Sequence, residues 1–389
     1  MSTRNPLKDQ IAIAGIGSTG FSRSSDVSGL ELLVRASVEA IRDAGLTAAD
    51  IDGVVVPGEP GGVNPGVLAT ALGLPRVTHF ARPVPVAMFS MLDAVHAVHS
   101  GACDAALVAF PYLRLPWNSR SAANDPFRRH LAHGVQAVPE SIAMAPAYAA
   151  WASRYLAEYG VDRDGFGLVA VNMRSNAARN PLAAITTPLT LDDYYAARMI
   201  REPLGMLDMD LPVDGADAFV VTRAVDAPDV GRPQVVVHAI TTGLVTPNDE
   251  DQVPCLDRHS QHIVLDTLRA KSDFWIDDAD VVCLYDGFTV ITAGWIENLG
   301  WAPPGGTADF LREHWVAAED RVLVGGRVQI NPHGGSLSEG ATRGSGHVRE
   351  AVVQLRGEAE GRQTPDARTA LVCTGGFFFN SQGLTLRRA

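Results

Sequence analysis

One order of elements occurs twice along this chain, and nothing else in the sequence restricts the fold as much. In the first half, a buried strand over Gln10 to Gly17 precedes a helical pattern from Gly29 to Gly45, where glycine stops the helix. A second buried strand runs from Ile51 to Val56, a helix from Met88 to Ser100 stops at Gly101, and a strand follows from Asp104 to Phe110. In the second half the same order returns as a strand (Gln234–Ile240), a helix (His262–Lys271), a strand (Val281–Tyr285), a helix (Gly346–Leu355) and a strand (Ala370–Cys373). The first strands are about 225 residues apart, a period far longer than that of a solenoid. Any α/β protein repeats strand and helix, but here an acidic pair precedes the second strand of both sets: Asp50-Ile51-Asp52 and Asp278-Ala279-Asp280. The expectation is an α/β fold with a largely internal sheet, built from two duplicated halves, residues 1–233 and 234–389. Such a duplication places a site at the pseudo-twofold junction.

Residues 111–210 interrupt the pattern. Arg128, Arg129, His130 and His133 read as a polar loop. Helical patterns follow over Ala147–Gly160, Asp164–Asn180 and Leu189–Ile200, then a turn and strand over Leu211–Thr222. An insertion of this length is expected to form a substrate lid or dimer contacts.

Composition excludes several classes of function. With 46% hydrophobic and 20% charged residues, the chain is a packed globular protein. A net charge of −12 argues against nucleic acid as a partner, because phosphate neutralisation needs a basic surface. No apolar run approaches the roughly 18 residues that span a bilayer, and MSTRNPLKDQ has no signal-peptide core. A cytoplasmic protein without membrane contact is expected. Cys103, Cys255, Cys283 and Cys373 show no CxxC and no metal spacing, so reduced thiols and no metal are expected. Asp257, Arg258, His259 and His262 form a loose cluster, read as a solvated helix start rather than a metal site.

The chemistry concentrates elsewhere. A strand-like run, Val322 to Ile330, leads into Asn331-Pro332-His333-Gly334-Gly335-Ser336-Leu337-Ser338-Glu339-Gly340. Adjacent glycines let the backbone turn sharply and approach a ligand closely. Asn331, His333, Ser336, Ser338 and Glu339 crowd the same ten residues, which reads as an active-site wall.

Taken together, these pieces resemble the thiolase superfamily, and most of all its lipid-transfer-protein branch, related to sterol carrier protein thiolases. Asn331–Gly340 resembles the thiolase glycine-rich motif. Tyr285-Asp286-Gly287-Phe288 falls where thiolases carry Asn-Glu-Ala-Phe and where this branch often carries Tyr-Asp-x-Phe. Met206–Val221 resembles the segment that closes the first half, and Cys373-Thr374-Gly375-Gly376 falls at the C-terminal catalytic Cys of thiolases. The resemblance covers essentially the whole chain and implies a layered αβαβα core and a homodimer. Two departures matter. Arg82–Ser90 contains no Cys where thiolases place their nucleophile at a helix N-terminus; Ser90 offers a hydroxyl without an obvious base. Ala341 stands where thiolases and many relatives have His after the third glycine.

The resemblance therefore implies a different reaction. Aldolases of this branch cleave a β-hydroxyacyl-CoA from steroid side-chain degradation to a ketone and a shorter acyl-CoA, together with a small OB-fold partner. No acyl-enzyme nucleophile is needed, only a base, an acid and donors for the enolate. Coenzyme A enters as part of the substrate, and no bound cofactor is expected. Tyr285 is the first candidate acid/base by this resemblance; the residue type alone reads as a packed strand-end aromatic. His333, Glu339, His347 and Cys373 are further candidates, each with a structural alternative. Asp286 reads as a cap of the helix that follows it. Asn331, Gly334, Gly335, Gly340, Gly375 and Gly376 are candidates for binding substrate and enolate oxygen. Phe377-Phe378-Phe379 would line an apolar pocket or fill vacated space. Two alternatives remain open: a non-catalytic subunit that binds acyl-CoA or lipid, and a thiolase-like acyltransferase.

Overall fold

In the computed structural model, which describes residues 4–58, 63–85, 88–114, 145–245, 255–377 and 381–389, the two acidic pairs do the same work. The Asp52 carboxylate accepts from the backbone N–H groups of Asp104 at 2.9 Å and Ala105 at 3.0 Å. The Asp280 carboxylate accepts from those of Arg368 at 2.8 Å and Thr369 at 3.1 Å. Each acid thus ties the start of one strand to the start of its parallel neighbour. Asp50 and Asp278 close the short turns before them, accepting from Thr47 N–H at 2.8 Å and Trp275 N–H at 3.4 Å.

The strands of the first half are β1 (Ile11–Ser22), β2 (Gly53–Val55), β3 (His79–Ala81), β4 (Ala105–Tyr112), the small pair β5 (Met199–Arg201) and β6 (Leu204–Gly205), and β7 (Asp214–Arg223). Those of the second are β8 (Val235–Gly243), β9 (Val281–Leu284), β10 (Trp315–Val316), β11 (Arg321–Val324), β12 (Val328–Ile330), β13 (Thr369–Thr374) and β14 (Ser381–Arg388). The large sheet runs β10-β11-β12-β9-β13-β14-β8-β1-β7-β4-β2-β3. The order β12-β9-β13-β14-β8 repeats β3-β2-β4-β7-β1. The pairing senses repeat too: β2 lies parallel to β3 and β4, then β4, β7 and β1 are antiparallel. In the second copy β9 lies parallel to β12 and β13, then β13, β14 and β8 are antiparallel. The copies join where β1 meets β8, through Ile11–Val237 and Ala12–Val236.

The helices are α1 (Gly29–Asp43), α2 (Pro65–Leu72), α3 (Phe89–Ser100), α4 (Ala145–Tyr159), α5 (Asp164–Ala177), α6 (Leu191–Ala196), α7 (Ser260–Lys271), α8 (Thr289–Asn298), α9 (Thr307–Glu313), α10 (Gly335–Ser338) and α11 (Ser345–Arg356). Three apolar cores separate the layers. Helices α3 and α11 fill the middle one, where Met91 and Val95 meet Val348 and Val352 between strands of both halves. Helix α1 covers the outer face of the first copy, and α4, α5, α7 and α8 that of the second. The layers are therefore α, β, α, β, α. Strand β9 shows why its sequence reads as a continuous apolar run: Val281 and Cys283 enter the middle core, Val282 and Leu284 the outer one.

Three sequence expectations change. Val322–Ile330 is not one strand but the hairpin β11–β12, folded at Gly325 and Gly326 with φ of 59° and 72°. Leu189–Ile200 supports only the short helix α6. Met199 and Ile200 beyond it are exposed, so no buried face sustains a longer helix, and Met199–Arg201 forms β5 instead. His259 is not solvated: it is 2% exposed, caps α7 by accepting from Gln261 N–H, and contacts Asn298. The polar loop with Arg128, Arg129, His130 and His133 lies outside the described residues, as do Phe378 and Phe379. No helix among the described residues is long and apolar enough to cross a membrane.

A buried ion triad pins the two halves together at the middle layer. The Arg349 guanidinium on α11 donates to Asp217 on β7 and, at 2.5 Å, to Glu339 beyond α10. Burial alone would lower the Arg349 pKa, but the charges of Asp217 and Glu339 hold it raised. Removing the arginine leaves two buried carboxylates unpaired. Arg349→Ala is therefore expected to lower the unfolding free energy by about 3–5 kcal/mol, measured by urea denaturation. A loss below about 1 kcal/mol would show the triad to be dispensable.

Candidate active site

Three turns emerge side by side at the carboxyl ends of β12, β9 and β13, where open α/β sheets bind ligands. They are Asn331–Gly340, Tyr285–Phe288 and Gly375–Gly376. Asn331 turns out of β12 with φ of 51°. Its amide is engaged at both ends, accepting from Leu284 N–H and donating to Leu284 C=O, each at 2.6 Å. This clamps the glycine-rich loop to β9, so Asn331 frames the site rather than offering a donor to an enolate.

Asp286 is the hub. Its carboxylate accepts from Ser336 N–H at 2.7 Å and Leu337 N–H at 3.1 Å, the opening donors of α10. It therefore caps a helix 50 residues away, not the α8 that follows it. Gly335, at φ of 62°, makes this possible: a Cβ there would stand 2.0 Å from the carboxylate. His347 Nε2 reaches the same carboxylate at 3.1 Å and Leu284 C=O at 3.2 Å. Gly334 and Gly340 abut Ala177 and Val213 in the same tight way.

His333, Glu339 and His347 come together, but behind the loop. The rings of His333 and His347 meet edge to face at 4.7 Å, and His333 Nε2 lies 4.0 Å from Glu339. All three side chains are fully buried. Burial, then the charges of His347, Arg349 and Arg362, hold the His333 pKa well below its usual value, so this ring is neutral. Glu339 accepts from Asn180 at 2.7 Å and Arg349 at 2.5 Å. Cys373 is likewise fully buried inside β13, and burial pushes its thiol far up, which leaves no thiolate nucleophile. Its carbonyl accepts from Tyr285 N–H at 2.9 Å. Gly375 C=O accepts from Trp295 at 3.1 Å, Gly376 C=O from Ser381 at 2.5 Å, and Phe377 packs in the core against Trp151. Ser90 is buried in the first turn of α3.

Tyr285 alone of the five catalytic candidates is partly exposed. Its ring packs against Gly287, where a Cβ would come within 2.6 Å of it, and stands 5.8 Å from the His347 ring. Among the described residues the phenol oxygen has no hydrogen-bond partner. Burial, then the charges of Asp210 and Asp286, push its pKa well above the usual value.

Asp210 is the residue that sequence reading missed. It follows Asp208 within the run MLDMD, and only the fold separates the two. Asp208 is buried and saturated, accepting from Tyr194 at 2.7 Å, Thr289 at 2.6 Å and Gly205 N–H at 2.7 Å. The half-buried Asp210 carboxyl has no hydrogen-bond partner among the described residues. Burial, then repulsion from Asp286, raise its pKa to about 7.

Sheet order, glycine-rich loop and paired turns define a thiolase-fold protein whose site holds no activated cysteine. Residues 268–387 match the family described as Thiolase C-terminal domain-like. The chain is 33% identical to the 17-hydroxy-3-oxo-4-pregnene-20-carboxyl-CoA lyase of Mycobacterium tuberculosis, over 90% of this chain and 92% of that one. It is 30% identical to the steroid side-chain-cleaving aldolase of Thermomonospora curvata, over 95% and 96%. Among solved structures, the Ltp2-ChsH2(DUF35) aldolase superposes with a TM-score of 0.84 at 29% identity, covering 98% of both chains. The acetyl-CoA acetyltransferase of Syntrophomonas wolfei shares the fold at 15% identity, with a TM-score of 0.70 over 98% of this chain and 99% of that one. The chain belongs to the lipid-transfer-protein (sterol carrier protein) branch of the thiolase superfamily.

Two outcomes follow from this geometry. Gly335→Ala forces a methyl into the Asp286 carboxylate and strains a positive φ; it is expected to lower the melting temperature by several degrees, read by thermal unfolding. An unchanged melting temperature would contradict the Asp286 contact. For Asp210 the sign is reversed. Its raised pKa means the folded state disfavours the ionised form, so its presence lowers stability as pH rises from about 4 to about 7. Asp210→Asn is expected to stabilise the fold at pH 8, with the gain disappearing by pH 4, in denaturation curves at the two pH values.

Proposed function

We propose that this chain is a carbon–carbon lyase that cleaves a bulky β-hydroxyacyl-CoA, of the steroid side-chain type, by a retro-aldol step. The observation that carries the reading is the partly exposed Tyr285 phenol, without a hydrogen-bond partner among the described residues and beside a carboxyl, in a thiolase-type site with no thiolate. The named substrate of the Mycobacterium tuberculosis relative has the right chemistry: its hydroxyl at carbon 17 is β to the thioester carried on carbon 20. Cleavage needs the hydroxyl proton removed. The alkoxide collapses to a ketone, and the electron pair of the Cα–Cβ bond moves into the thioester as an enolate. Protonation of the α-carbon then gives the shorter acyl-CoA. Coenzyme A is part of the substrate in this reading, and the reaction calls for no cofactor.

A cytoplasmic homodimer of this chain that works with a DUF35-type OB-fold protein completes the proposal. The solved relative is an Ltp2-ChsH2(DUF35) aldolase, which supports that partner.

Tyr285→Phe tests the reading. Because the phenol oxygen bonds nothing among the described residues, its removal leaves the melting temperature unchanged. Turnover of 17-hydroxy-3-oxo-4-pregnene-20-carboxyl-CoA, followed by chromatography of ketone and acyl-CoA products with the DUF35 protein present, is expected to fall about 100-fold or more. Undiminished turnover removes Tyr285 from the chemistry. Binding of the thioester by the wild-type chain without any cleavage supports an acyl-CoA-binding subunit instead.

A further inference from the structure

A retro-aldol step needs one group to take a proton and another to give one, and residues 209–211 are held beside the turn that carries Tyr285. Met209 forms a β-bridge with Phe288. The Asp210 N–H donates to Gly287 C=O at 3.0 Å, and the Leu211 N–H donates to Ser336 C=O at 2.9 Å. The Leu211 carbonyl in turn accepts from Ala341 N–H at 2.8 Å. The segment is thus stitched between the Tyr285 turn and the glycine-rich loop, and cannot shift without breaking both. Gly287 is shared: its carbonyl holds the Asp210 backbone, and its missing side chain makes room for the Tyr285 ring.

We propose that Asp210 is the general base of this site and Tyr285 the general acid, with the substrate's β-hydroxyl and α-carbon held between them. This rests on the lyase reading above and assigns the two proton transfers within it. The surroundings favour this division. Ala341, joined to Leu211 by backbone, carries no titratable group. Arg343, two residues on, donates to the Pro85 carbonyl at 2.9 Å. The ionisable groups facing Asp210 from the β9 turn are Tyr285 and Asp286, and His347 on α11 is already bonded to Asp286. Desolvation by burial and a nearby like charge make a carboxylate a better base. The same burial makes the phenol a weak acid that stays protonated until a strongly basic carbanion forms beside it.

The protons balance. The Asp210 carboxylate takes the β-hydroxyl proton, the Cα–Cβ bond breaks, and ketone and thioester enolate form. Tyr285 O–H then protonates the α-carbon. The resulting phenolate is reprotonated from the neutral Asp210 carboxyl, which restores both groups without an external acid, base or oxidant.

The test measures kcat and KM for the steroid thioester across pH 5–9 with wild type, Asp210→Asn and Asp210→Glu, each checked for a native thermal transition. Wild-type kcat/KM, which reports ionisations of the free enzyme, is expected to rise through a single ionisation at about 7. Asp210→Asn is expected to lose about 100-fold or more in kcat with KM within a few-fold, and to lose that limb. Asp210→Glu restores a base at altered reach, so it is expected to recover part of kcat with the limb displaced. A folded Asp210→Asn that keeps wild-type kcat overturns the assignment and leaves the lyase reading standing. A wild-type chain that cleaves no β-hydroxyacyl-CoA, with or without the DUF35 protein, overturns the lyase reading and this assignment with it.

Discussion

One buried carboxylate organises the site. Asp286 lies at the end of β9, caps α10 in the glycine-rich loop and holds His347 on α11. Hydrogen bonds to a charged group contribute about 1.5–3 kcal/mol each, and leaving this charge unpaired in the core would cost more than any one of them. Three elements distant in sequence are therefore held in one register. The contact exists because residue 335 has no side chain. The glycine pair that looked like a ligand-approaching turn is, at Gly335, a turn approached by the protein's own carboxylate.

That arrangement has an electrostatic consequence one layer out. A negative charge fixed behind the site raises the proton affinity of whatever acid stands in front of it. Asp210 stands there, half-buried and without a hydrogen-bond partner among the described residues, and Tyr285 beside it is shifted in the same direction. The thiolase arrangement, in which a thiol is lowered at a helix N-terminus, needs the opposite field. Here Cys373 is driven up by burial, and no cysteine stands near the start of α3. The same scaffold thus favours proton transfer to and from oxygen over attack by sulfur. Four of the five catalytic candidates read from the sequence are fully buried, and Tyr285 is partly exposed.

The fold was largely legible in the sequence because its signals are local. Strand β9 reads as apolar on both faces, glycines stop α1 and α3 nearby, and the paired acids recur before β2 and β9. The exceptions are equally physical. Gly325 and Gly326 fold one apolar run into a hairpin, and α6 stops where its apolar residues find nothing to pack against. Site residues were legible by type but not by direction. His333, Glu339 and Asn331 share a loop with Gly335, and nothing in their spacing tells that they point inward. Asp208 and Asp210 differ only in their partners, which come from Tyr194, Thr289 and Gly205 for one and from nothing described for the other.

The proposed reaction protonates an enolate in place of thiolysis through an acyl-enzyme, and isotope labelling separates the two. The chain, together with the DUF35 protein, is incubated with the steroid thioester in D2O without free coenzyme A, and the products are weighed by mass spectrometry. The expected result is a ketone and a shorter acyl-CoA in equal amounts, with one deuterium on the α-carbon of the acyl-CoA. Cleavage that requires added coenzyme A, yields two thioesters or passes through a protein-bound acyl group would contradict it.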